Sequence, residues 1–354
     1  MGFFTNWLTG GIVGSALTGV LTTANTLLSS VYRTGAEIYN QLPSYITQFS
    51  TGWTAYNTRN PTPTIGQMTT ASLAIIGDTR NAPPSLRAFT SNGQQMGVLD
   101  VAHGLLGRAW LTPANQVIVA FCATDPISPY GRAFYEGQVA TDTEILRGRI
   151  SVAQTEALDF VRTVQAEAAR RGINPTTGVF TTGISLGGIL AEYVASQTGV
   201  GGLGIVSAGL PRSALTNSGP GTNFVNVLAA GDPVSQFDDR FGVHPLSLTQ
   251  GITHYGLNMH VGSPLLNTAL TNLESTLIAS MPAGTDSADY FIHSFLGPVD
   301  VIAGDVNGLN YMSPQQLAFS SFALTNHAVG VMPSLIADAN MTLPQYISAH
   351  RLAA

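Results

Sequence analysis

The chain has 354 residues, of which 44% are hydrophobic and only 10% charged, against about 25% charged in an average soluble protein. That balance excludes an ordinary disordered chain, which combines low hydrophobicity with high charge. All 14 basic residues are arginine, they are scattered, and with 20 acids the net charge is −6. This disfavours nucleic acid as a partner, because phosphate neutralisation needs a clustered basic face.

Residues 1–32 carry no charge and are apolar with Thr, Gly, Asn and Ser interruptions. They lack the basic start of a secretory signal and the uniform apolarity of a membrane span. Asn6 stands where an N-myristoylation motif needs Ser or Thr. The segment is expected to pack against the body of the protein, with an interfacial or export role as the alternative. A secreted or lipid-surface location is favoured over a cytoplasmic one. Residues 1–70 thus read as a helical extension that is uncharged over its first 32 residues. The turn-rich run Arg59-Asn60-Pro61-Thr62-Pro63-Thr64 marks its end, and residues 71–354 form the second unit.

From there strands alternate with helices. Gly107–Leu111 and Gln116–Ala123 read as a hairpin, with Pro113-Ala114-Asn115 at its turn. Cys122, the single cysteine, follows the apolar run Val117–Phe121 and is expected to be an inert core thiol. It excludes an intrachain disulfide and a cysteine-based zinc site. Apolar residues at helical spacing predict one long helix over Ile145–Arg171, closed by Arg170-Arg171-Gly172. Gly178–Thr182 then reads as a strand, Gly188–Gln197 as a helix, and Leu203–Ser207 and Phe224–Leu228 as further strands. This order predicts an α/β fold with a mostly parallel sheet. The chain from Ser263 onward leans to helix.

The sharpest motif is Gly183-Ile184-Ser185-Leu186-Gly187, a G-x-S-x-G between a predicted strand and a predicted helix. Such a turn holds its serine in a strained conformation at the sheet edge, with the helix N-terminus favouring nearby negative charge. Ser185 is therefore the candidate nucleophile, and the amide of Leu186 a candidate oxyanion donor. Asp232, just beyond the strand at Phe224, is the candidate acid, because open α/β sheets place their sites at that edge. Asp238 and Asp239 are its rivals. For the base, spacing favours His293, with His327 and His254 as the alternatives.

Several blocks together resemble the class 3 (fungal-type) lipases of the α/β-hydrolase fold. Thr182–Ala191 is similar to that family's nucleophile block, Ser207-Ala208-Gly209-Leu210-Pro211-Arg212 to the stretch after its next strand, and Gly231-Asp232-Pro233-Val234 to its acid motif. Val117–Asp125 resembles its oxyanion turn, with Cys122 and Ala123 in place of arginine and glycine. The resemblance spans about residues 95–295. It implies a Ser185–His–Asp232 triad, an oxyanion hole at Thr124 and Leu186, and cleavage of carboxylic esters without metal or cofactor. The interval from Asp232 to His293 is closer to the family's habit than that to His327. Residues 126–138 stand at the family's lid position and, with residues 1–32, are where contact with a lipid–water interface is expected. The weaker alternatives are a binding protein on a hydrolase scaffold, and an acyltransferase or peptidase on the same triad.

Overall fold

The computed structural model describes residues 62–351, apart from 79–81, 84, 216–218, 220, 238–250 and 303–311. The expectation for residues 1–61, the contact proposed for 1–32, Asp238 and Asp239 lie outside the described residues.

The chain starts with helix α1 (Ile65–Ile75), opened by a capping box in which the Thr64 hydroxyl and the Gln67 amide exchange bonds with each other's backbone N–H. Every residue of α1 is buried, and the Ser72 hydroxyl meets that of Thr182 at 2.9 Å. The expected division at residue 70 therefore cuts through a core helix. A helix buried on every side belongs to the interior.

Short strands follow: β1 (Arg87–Ala88), β2 (Thr90–Ser91), β3 (Gln94–Gln95) and β4 (Gly97–Asp100). β5 (Leu105–Leu111) and β6 (Val117–Phe121) form the predicted hairpin, with Asn115 at φ 62° in its turn. Helix α2 spans Arg132–Leu146 and α3 Val152–Arg170. The single helix expected over 145–171 is thus two. Gly148 sits at φ 73° in the break, and Ser151 and Gln154 form the capping box that starts α3. β7 (Val179–Ile184), α4 (Leu186–Thr198), β8 (Gly201–Ile205), β9 (Leu210–Pro211) and β10 (Phe224–Ala229) come next. β11 (Ile252–Thr253) and β12 (Leu257–Val261) complete the strands. Helices α5 (Pro264–Ala279), α6 (Ser287–Ile302), α7 (Pro314–Val329), α8 (Met332–Ala337) and α9 (Leu343–Arg351) fill the helix-leaning third.

The main sheet runs β1-β5-β6-β7-β8-β10-β12, with β4 also paired to β5. β6, β7, β8, β10 and β12 are parallel; β5 is antiparallel to its neighbours. This mostly parallel sheet flanked by helices is the α/β architecture expected, and it is compatible with an α/β-hydrolase. Alternation along β6 shows the two layers. Val117, Val119 and Phe121 join a core with α3, α4 and α6, whereas Ile118, Ala120 and Cys122 join one with α1, α8 and α9. Cys122 is buried against the Ile75 carbonyl, and burial pushes its thiol well above the usual range. No described helix is long and apolar enough to cross a membrane.

Candidate active site

Ser185 stands between β7 and α4 with φ 55° and ψ −123°, a conformation that non-glycine residues adopt only when the surroundings impose it. The flanking glycines permit it. A Cβ on Gly183 would lie 2.2 Å from the Gly187 carbonyl oxygen, and one on Gly187 would lie 2.2 Å from that of Phe121. The turn therefore closes only with hydrogen at both positions. Ser185 N–H donates to the Ile205 carbonyl at 2.8 Å, tying the turn to the end of β8. Leu186 N–H, in the first turn of α4, has no carbonyl four residues back within the helix to bond.

Asp232 follows β10, two strands from β7 in the sheet order, and is wholly buried. Its Oδ1 accepts from Val234 N–H at 3.0 Å; its Oδ2 accepts from the N–H and hydroxyl of Ser235 at 3.2 and 2.5 Å. The adjoining Gly231 N–H donates to Asn267 on α5 at 2.8 Å. The remaining bond to Asp232 comes from His327, whose Nδ1 is 3.0 Å from Oδ1. A carboxylate oxygen only accepts, so Nδ1 carries the hydrogen and Nε2 is left for proton transfer. His327 is buried in the last turn of α7, edge-on to Phe295 with ring centroids 5.3 Å apart.

His293, the base favoured by spacing, is not beside Asp232. It lies on the exposed side of α6, while Phe291, Ile292, Phe295 and Leu296 fill the buried side. His254 is buried against Glu192, its Nδ1 3.2 Å from both carboxylate oxygens, and belongs to the packing of α4. Of the three candidates, only His327 meets the acid.

Thr124 follows β6, and its hydroxyl donates to Asp142 Oδ2 on α2 at 2.6 Å. Burial pushes the Asp142 carboxyl up to about 7; the Thr124 hydroxyl and the charge of His327 act in the opposite direction. Asp142 thus bonds Thr124 and lies within electrostatic reach of His327. Its only sequence signal is a helix, just after that turn, with polar residues at core spacing (Gln138, Thr141, Asp142). Because the Thr124 hydroxyl proton already has an acceptor, the backbone N–H is the donor Thr124 has to spare. It enters no hydrogen bond among the described residues.

The expected lid position also changes meaning. Residues 132–138 are the start of α2, and Phe134, Tyr135 and Gln138 are buried. Cβ atoms on Gly104 and Gly137 would strike the backbone between residues 101 and 138 at under 3 Å, so α2 is seated directly on the turn before β5. Ile127, in the loop ahead of α2, is 48% exposed.

One group of potential metal ligands occurs among the described residues: Asp100, His103 and Glu156, whose donor atoms lie within 4.8 Å of one another. His103 Nδ1 lies 2.5 Å from Asp100 Oδ2 with Glu156 beside the pair, and none of the three contributes to the Ser185 site. No protein-family model matches the chain, and no curated protein matches it.

Proposed function

We propose that this protein is a serine hydrolase of carboxylic esters, of the lipase or esterase type that the class 3 resemblance implies. The observation that carries the reading is the Asp232–His327 bond, formed at the same sheet edge as a serine held at φ 55°. In this scheme Ser185 Oγ attacks the ester carbonyl while His327 Nε2 takes its proton. Asp232 holds the imidazole by Nδ1 and stabilises its cation. The N–H groups of Thr124 and Leu186 receive the oxyanion, a role in which one donor contributes about 3–4 kcal/mol. His327 returns the proton to the leaving alcohol. Water, activated by the same nitrogen, then cleaves the acyl-enzyme. Every step uses side chains and backbone of this chain.

The test is covalent and kinetic. A fluorophosphonate probe is expected to label Ser185 in the wild type. Ser185→Ala and His327→Ala are each expected to lower turnover of p-nitrophenyl butyrate at least a thousandfold while His293→Ala leaves it within about threefold. An unlabelled wild type, or full activity in Ser185→Ala, overturns the reading. Loss of activity in His293→Ala with retention in His327→Ala returns the base to the position favoured by spacing.

A further inference from the structure

We infer that Gln138 is the positioning residue of the oxyanion hole, acting through the peptide unit that joins Ala123 to Thr124; this rests on the hydrolase reading above. Gln138 is wholly buried on α2. Its Nε2 donates to the Ala123 carbonyl at 2.7 Å, and its Oε1 accepts from the Asp125 N–H at 2.8 Å. One rigid amide therefore grips the chain on both sides of Thr124.

The Ala123 carbonyl and the Thr124 N–H belong to the same planar trans peptide, so they point in opposite directions. Fixing the carbonyl fixes the direction of the N–H, the donor of Thr124 left over once its hydroxyl serves Asp142. A bond to the carbonyl also polarises the peptide and strengthens the N–H as a donor. The grip has a firm base, because α2 packs without side chains at Gly104 and Gly137. The far side of the turn is held separately. The Asp125 carboxylate accepts from Gly77 N–H at 2.7 Å and from Ile127 N–H at 3.1 Å. Loss of Gln138 therefore frees the Ala123–Thr124 peptide to rotate and leaves the rest of the loop anchored. Cys122 and Ala123 stand where the resembled family has arginine and glycine, and the Gln138 amide supplies local order to that altered turn.

The experiment compares full-length wild type with Gln138→Met and Gln138→Leu, each of which removes both bonds without placing an ionisable group in the buried site. Ester turnover is expressed per active site titrated to completion with fluorophosphonate, so misfolded protein does not count. For both variants kcat is expected to fall roughly 10- to 100-fold with KM within about twofold, because the donor acts on charge that develops only in the transition state. Affinity for a short alkyl trifluoromethyl ketone, which forms a tetrahedral adduct on the serine, is expected to weaken in parallel with kcat/KM. A structural role alone would lower the melting temperature and the titrated fraction with per-site kcat intact. Wild-type kcat per site in either variant overturns the inference. A wild type that neither labels nor turns over ester overturns the hydrolase reading itself, a separate result.

Discussion

Asp142 shows how one residue's surroundings set its chemistry. Its carboxyl, raised by burial from 3.8 to about 7, holds a proton in the folded protein over a range where the unfolded chain has released it. The sign follows directly. Its contribution to stability is complete below about pH 4, declines as pH rises toward 7, and is flat above that. Asp142→Asn removes this titration. The urea midpoint of the wild type relative to the variant is therefore expected to fall steadily from pH 4 to 7, and a pH-independent difference would refute it. Residues outside the site also have fixed partners: the Asp78 carboxylate accepts from Arg108 Nε at 2.7 Å and from the Tyr130 hydroxyl at 2.6 Å.

At the scale of elements, the site depends on how closely β6, β7 and α4 approach. Gly187 stands where α4 touches the end of β6, and a methyl there would need the helix to move away from the Phe121 carbonyl. The capping box of α3 is a different kind of contact: Ser151 serves only the start of its own helix. Ser151→Ala is expected to cost about 1 kcal/mol. Gly187→Ala is expected to cost about 1–3 kcal/mol through overpacking and to displace the Leu186 N–H as well. Urea melts and ester turnover together check this: both variants lose stability, but only Gly187→Ala loses per-site activity by more than tenfold. Equal activity in the two would show that the close approach does not govern the site.

For the whole molecule, low charge and exposed apolar side chains bear on the substrate. Leu265, 78% exposed, begins the helix whose Asn267 holds the acid loop, and Ile127, 48% exposed, follows the oxyanion turn. These residues adjoin, in the chain, the segments that carry Thr124 and bond Gly231 beside Asp232. If the substrate is presented at a lipid–water boundary, Ile127→Asp with Leu265→Asp is expected to lower activity on emulsified tributyrin several-fold while soluble p-nitrophenyl acetate is cleaved as before. Equal losses on both substrates would count against an interface.

The sequence alone determined what depends on neighbours along the chain. Apolar and β-branched runs bounded by glycines and polar residues marked β6, β7, α4 and β10, which the structure buries on both faces. The motif around Ser185 was legible because its two glycines and serine stand between a strand and a helix that the sequence also marks. Local signals also misled where a short feature interrupted a period: Gly148 and the Ser151 cap divided one expected helix into two. Only the tertiary structure showed which histidine meets Asp232 and what holds the turn at Thr124. Selecting His327 over His293 required knowing which of two helices, α6 or α7, turns a histidine inward over Asp232. Gln138 and Asp142 looked like ordinary polar positions at a supposed lid. They meet Ala123, Thr124 and Asp125 because the packing of α2 brings both to one turn of chain, and no local pattern encodes a meeting between separate segments.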